Sequence, residues 1–184
     1  MSGNTNKLLS EQDCMELMLK CNMLPNIIAH SVQVKNVALA ITDNLLPDTN
    51  INRRLVTSGA LLHDISKTRS IQEKLHNHDE MGGKFLRSLG LIDEAVICEN
   101  HVKIKDFDEN SPLTESEIVC YSDKRVKHDK VVSLEERIQD LIARYGTTPE
   151  KIKYIEDSRD FMYRLEAKIV KFMSWDMAAA LVGL

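Results

Sequence analysis

The chain has 184 residues, of which 43% are hydrophobic, 28% charged and only 5% aromatic, with a formal net charge of −4. That length suits one domain with a core large enough to need no disulfide, and so few aromatics among plentiful Leu, Ile, Val, Met and Ala favour helices over a β-sandwich. Neither a dense Lys/Arg block nor an apolar run of bilayer-spanning length is present, which argues against a nucleic-acid duplex and a membrane as partners.

In chain order, Ser10 and Asp13 open an amphipathic segment carrying Met15, Leu17, Met18 and Met23. Pro25 suits a first helical turn. After it, Ile27, Ile28, Val34, Val37, Ala38, Ile41 and Leu45 recur at spacings of three and four, a helical stripe stopped by Pro47. A helix is expected from about Asn52 to Lys67, then a polar stretch from Thr68 to Asn77. Two short helices follow, Glu80 to Leu89 and Asp93 to His101, parted by Gly90. The segment Val102 to Leu113 reads as a loop. Thr114 with Glu117, Ser133 with Glu136, and Thr147 with Glu150 form three capping boxes. They open helices through Val126, to Arg144, and to about Met173. The expected fold is all-α, a single helical bundle over residues 1–184. Its core spans about 25–140 and its C-terminal helices about 133–184.

Cys14, Cys21, Cys98 and Cys120 form no Cys-x-x-Cys pair, and Met1 to Lys7 lacks the apolar region of a signal peptide. A reduced, cytoplasmic protein is the expectation. His63-Asp64 is the chemically suggestive pair. Gly59-Ala60-Leu61-Leu62 would turn this stretch inward, and an ionised carboxylate there is costly without a cation. Imidazole and carboxylate are metal ligands. Alone, such a pair is a weak signal; His30 by itself would more often be a hydrogen-bonded core histidine. His76 and His128 read as surface residues, the eight methionines as gap-filling core, and Glu135, Glu136, Arg137 and Asp140 as a solvated helix face.

The ordered set His30, then Leu61-Leu62-His63-Asp64-Ile65-Ser66-Lys67, then His78-Asp79-Glu80-Met81-Gly82-Gly83, then His101, then Tyr121-Ser122-Asp123 resembles the HD-domain metal-dependent phosphohydrolase superfamily. Within it, the chain is similar to the small bacterial subgroup that includes symmetrical diadenosine tetraphosphate hydrolases. It departs at Ser66, where many relatives have glycine, and at Val102, where some have a second histidine. The resemblance implies that His30, His63, Asp64 and Asp123 ligate one divalent ion, and that Asp64 bridges to a second held by His78 and His101. Transition metals are implied, Fe or Mn first, with Co, Ni, Zn or Mg as further candidates. The implied reaction is attack of a metal-bridging hydroxide on a phosphoester or phosphoanhydride of a nucleotide or small phosphorylated metabolite. Asp64 and Lys67 are the catalytic candidates, and Lys67, Lys103 and Arg125 the substrate-binding ones, with Lys105 near the mouth. Two other functions share the ligand set: a mixed-valent di-iron oxygenase of the same fold, and a non-catalytic nucleotide sensor. Oligomeric state, monomer or homodimer, is left open.

Overall fold

The computed structural model describes residues 9–184. The order is α1 (Glu11–Lys20), α2 (Pro25–Thr42), α3 (Arg53–Leu62), α4 (Lys67–Gln72), α5 (His78–Ser88), α6 (Ile92–Asn100), α7 (Glu115–Lys124), β1 (Val126–Lys127), β2 (Lys130–Val131), α8 (Leu134–Tyr145), α9 (Pro149–Val170) and α10 (Met177–Ala180). The fold is all-α apart from the two-residue antiparallel pair β1–β2. No helix among the described residues is long and apolar enough to cross a membrane.

The caps set several boundaries. Thr114 and Ser133 make the expected capping boxes and Ser10 makes a further one with Asp13, satisfying helix-start donors that would otherwise be orphaned. The expected Thr147–Glu150 box does not form: Thr148 caps α9 by accepting from Lys151 N–H, and Pro149 takes the first helical position. Gly90 adopts φ +78, a left-handed conformation that suits glycine. It ends α5 while Leu91 N–H returns to the Leu86 carbonyl at 3.0 Å.

Three further boundaries differ from expectation. The helix beginning at Arg53 ends at Leu62, with His63 as its C-cap, rather than running to Lys67. A tight turn follows, closed by Lys67 N–H on the Asp64 carbonyl at 2.9 Å, and Lys67 then starts α4 inside the stretch expected to be irregular. The α7 helix ends at Lys124, so Val126 falls in the short hairpin.

Two buried clusters organise the interior. One joins α2, α3, α6 and α7 to α8, α9 and α10 through residues such as Val37, Ala60, Tyr121, Ile138, Leu165 and Met177. The other packs α1 against α2, α3, α5 and α6 through Met18, Leu61, Leu62, Leu86 and Cys98. Helix α3 serves both, with Val56 and Ala60 on one side and Leu61 and Leu62 on the other. Its C-terminal end is therefore held between two packed bodies. Gly82 permits the close approach of α5 to α6: a Cβ there would lie 2.5 Å from Cys98 Sγ.

Candidate metal centre

His63 and Asp64 lie at the end of α3, His30 on α2, His78 at the start of α5, His101 at the C-cap of α6 and Asp123 in the last turn of α7. Five separate elements thus bring four imidazoles and two carboxylates to one place. His63 and His101 are fully buried, Asp64 and Asp123 nearly so, and His30 and His78 are largely covered.

The imidazoles are aimed. His63 Nδ1 pairs with the Ala60 carbonyl at 2.7 Å, His101 Nδ1 with the Cys98 carbonyl at 2.6 Å, and His30 Nδ1 with the His128 carbonyl at 2.8 Å. A carbonyl can only accept, so each Nδ1 carries the proton and each Nε2 presents a lone pair when the ring is neutral. Those Nε2 atoms converge. His30 Nε2 is 3.0 Å from Asp123 Oδ1 and His63 Nε2 is 3.9 Å from the same oxygen. Asp64 Oδ1 lies 3.1 Å from His78 Nε2 and 3.4 Å from His101 Nε2, while its Oδ2 is 3.8 Å from His63 Nε2.

Two groups have the spacing of a cation site: His30, His63 and Asp64, and Asp64, His78 and His101. Asp64 belongs to both. Two donors bound at about 2.1 Å and at right angles to one another lie about 3 Å apart, close to the tighter spacings here. The polar accounting agrees. His63 Nε2 and Asp64 Oδ1 are buried and have no properly oriented hydrogen-bond partner among the described residues, a deficit costing about 1–3 kcal/mol per group if nothing fills it. The donor set fits a divalent cation.

The electrostatics separate the histidines. Burial lowers the His63 pKa to about 4, so that ring stays neutral and able to ligate. Burial also lowers His78. Burial pulls His30 down too, but the hydrogen bond and charge of Asp123 outweigh it, and the net shift is upward. Asp64 and Asp123 would be raised by burial; instead Lys67 and the neighbouring histidines hold Asp64 well below its usual range, and Lys124, His30 and Arg137 do the same for Asp123.

Lys67 reaches the cluster: its Nζ is 3.1 Å from His78 Nε2 and 3.8 Å from Asp64 Oδ1. The tight turn, not a continuous helix face, brings it there. Lys103 is exposed and lines a neighbouring cleft with Asp79, Glu99, Lys105 and Tyr154. Arg125 spends its donors on the Val132 carbonyl (2.8 Å) and the Tyr121 hydroxyl (2.6 Å), with Glu166 at 3.7 Å, which ties the end of α7 to β2 and α9. His76 is exposed, as expected.

Three contributors were not foreseen. His128 stands in the β1–β2 turn at φ +57, and its carbonyl, not its ring, orients His30. Lys124 is buried, donating to Asp123 Oδ2 at 2.8 Å and to the His101 carbonyl at 2.9 Å, so one ammonium links the Asp123 carboxylate to the backbone of His101. Arg137 and Asp140 are buried rather than solvated. Arg137 follows Leu134 by three residues and precedes Ile138, so the inward stripe of α8 was the available signal for it.

A family model described as HD domain matches residues 27–127. The chain is 32% identical over 177 residues to a tRNA (cytidine(56)-2'-O)-methyltransferase of Thermoplasma volcanium, covering 89% of this chain and 46% of that protein. It is 29% identical over 151 residues to the tRNA (cytidine(56)-2'-O)-methyltransferase of Picrophilus torridus, covering 73% and 41%. It is also 38% identical over 82 residues to Ribonuclease Y of Rubrobacter xylanophilus, covering 44% and 15%. The chain therefore spans less than half the length of these curated relatives. No solved structure gives a significant match.

Proposed function

The chain belongs to the HD-domain family of metal-dependent phosphohydrolases, and on that footing we propose that it hydrolyses a phosphoester or phosphoanhydride bond of a nucleotide, or of a similar phosphorylated molecule, at a two-metal centre bridged by Asp64. One observation carries the reading. Asp64 is shared by two cation-spaced groups, and a lysine ammonium lies against the outer group, 3.1 Å from His78 Nε2.

Under this reading His30, His63 and Asp123 would hold one ion, His78 and His101 the other, and Asp64 would serve both. Bound divalent ions supply Lewis acidity, which lowers the pKa of a water and stabilises charge growing on the phosphoryl oxygens. The protein does the rest. Three backbone carbonyls fix the imidazole tautomers and ring directions. Lys67, against His78 and Asp64, would hold a non-bridging phosphoryl oxygen as a point charge. Lys124 keeps Asp123 ionised and anchors the backbone of His101. Lys67, Lys124 and Arg137 together give this centre a cationic surround in a chain of net charge −4. These cations suit an anionic substrate. Histidine-rich ligation suits Mn or Fe better than Mg.

The relatives' names supply the substrate class to try first. Two are named for modification of tRNA and one as a ribonuclease, so nucleotides and short RNA ends belong in the panel beside dinucleoside polyphosphates. The test is turnover by the Mn²⁺-loaded chain under anaerobic conditions against phosphomonoesters, phosphodiesters and nucleoside polyphosphates. Oxygen-independent release of phosphate or nucleotide, lost in Lys67→Ala, supports the proposal. Activity that requires oxygen and fails with Mn²⁺ contradicts it, and so does saturable nucleotide binding without turnover of any panel member.

A further inference from the structure

Among the described residues, Arg137 on α8 has a buried donor, Nε, with no hydrogen-bond partner. Its Nη1 donates to Asp140 Oδ2 at 3.0 Å. Its Nη2 lies 3.9 Å from Asp123 Oδ1, too far for a hydrogen bond, and that oxygen is the one beside His30 Nε2 and His63 Nε2. Its Nε is buried and unpartnered among the described residues. The residue is only 9% exposed. A guanidinium has five N–H donors in a fixed plane and cannot deprotonate to escape burial. Desolvating such a group without acceptors is costly, and Asp140 is not dedicated to it: Arg144 reaches Asp140 Oδ2 at 2.6 Å and Lys127 reaches Oδ1 at 3.5 Å.

We propose that Arg137 is a substrate-contacting residue, whose guanidinium takes a phosphoryl oxygen on the His30–His63–Asp123 side of the centre, across from Lys67 on the His78 side. The planar fork matches two oxygens of one phosphate, which a lysine cannot do. The arrangement assigns distinct tasks to two cations: Lys67 neutralises as a point charge, and Arg137 fixes the orientation of the phosphoryl group about the ion pair. It also gives α8 a share in the site, because Ile138 on the next position anchors the helix in the core. The inference rests on the proposed reading only for the kind of anion, a phosphoryl group.

The test uses the full chain loaded with Mn²⁺, with inorganic phosphate as probe in calorimetric titrations, and with metal content measured in each variant. Arg137→Met is expected to weaken phosphate binding by at least about tenfold, as loss of a charge-assisted hydrogen bond implies, with manganese content unchanged. Arg137→Lys keeps the charge without the fork and is expected to recover the affinity only in part. Arg144→Met disturbs the same Asp140 cluster but removes no donor aimed at the centre, so it should bind phosphate within about twofold of the unaltered chain. Three results overturn the proposal: unchanged phosphate affinity in Arg137→Met, full recovery in Arg137→Lys, or equal losses in Arg137→Met and Arg144→Met. Phosphate binding that depends on Arg137 in a chain that hydrolyses nothing would uphold this inference while sinking the hydrolase reading alone.

Discussion

At the scale of single residues, the site is a set of lone pairs that the fold prevents from being satisfied internally. His63 Nε2 has no hydrogen-bond partner among the described residues, and Asp64 Oδ1 faces the His78 and His101 Nε2 atoms, the His101 ring being already steered by the Cys98 carbonyl. That His30, His63, Asp64, His78, His101 and Asp123 come together was legible in the sequence, since their order and types match a known pattern. What could not be read was how they are aimed: the His128 carbonyl depends on a left-handed residue in a two-residue hairpin that leaves no periodic trace. Lys124 hid because a lysine next to Asp123 looks like an ordinary helix-end charge. The buried cysteines give a separate prediction. Burial pushes the Cys14 thiol up to about 12 and Cys120 up to about 11, and raises Cys98 as well. A raised thiol pKa means thiolate forms only at correspondingly higher pH, so these three should resist alkylation at pH 8. Cys21, only partly buried and less shifted, should react first. Thiol titration of the native chain should find about one accessible group, and rapid reaction of all four would contradict the packing.

At the scale of elements, the periodic helices were the easiest to foresee, and the junctions the hardest. The stripe of α2 and the capping boxes of α1, α7 and α8 are local signals that tertiary structure did not override. The break after Leu62 is not local, because it follows from placing His63, Asp64 and Lys67 around one point. Two element contacts carry testable weight. Lys168 of α9 is fully buried, donating to Glu117 Oε1 at 2.7 Å, to the Asp108 carbonyl at 2.8 Å and to Ser111 Oγ at 2.8 Å. It pins the loop after α6 to the start of α7. Lys168→Met should cost about 3–5 kcal/mol, the usual price of stranding one partner of a buried ion pair; an unchanged denaturation midpoint would refute the role. Gly82→Ala should lose about 1–3 kcal/mol by overpacking α5 against Cys98, and should loosen the His78 and His101 group more than the His30 and His63 group, as metal titration would show.

At the scale of the whole molecule, the C-terminal helices complete the core and contribute to the site region. Ile138, Leu165 and Ile169 share a buried cluster with α2 and α7, and α8 delivers Arg137 toward Asp123. On α8 the spacing from Leu134 to Arg137 and Ile138 pointed inward, but a charge beside an apolar stripe more often faces solvent, and that expectation hid Arg137 and Asp140. An ion that binds only the folded chain stabilises it by mass action, so chelation should lower the melting temperature by several degrees, and Asp64→Ala should melt at the same temperature with or without chelator. Whether Asp64 joins two ion sites is decided by the metal stoichiometry of the purified, Mn²⁺-loaded chain. Two ions per chain are expected, about one in His101→Ala and none in Asp64→Ala. A single ion in the unaltered chain, or full loading of Asp64→Ala, would contradict it.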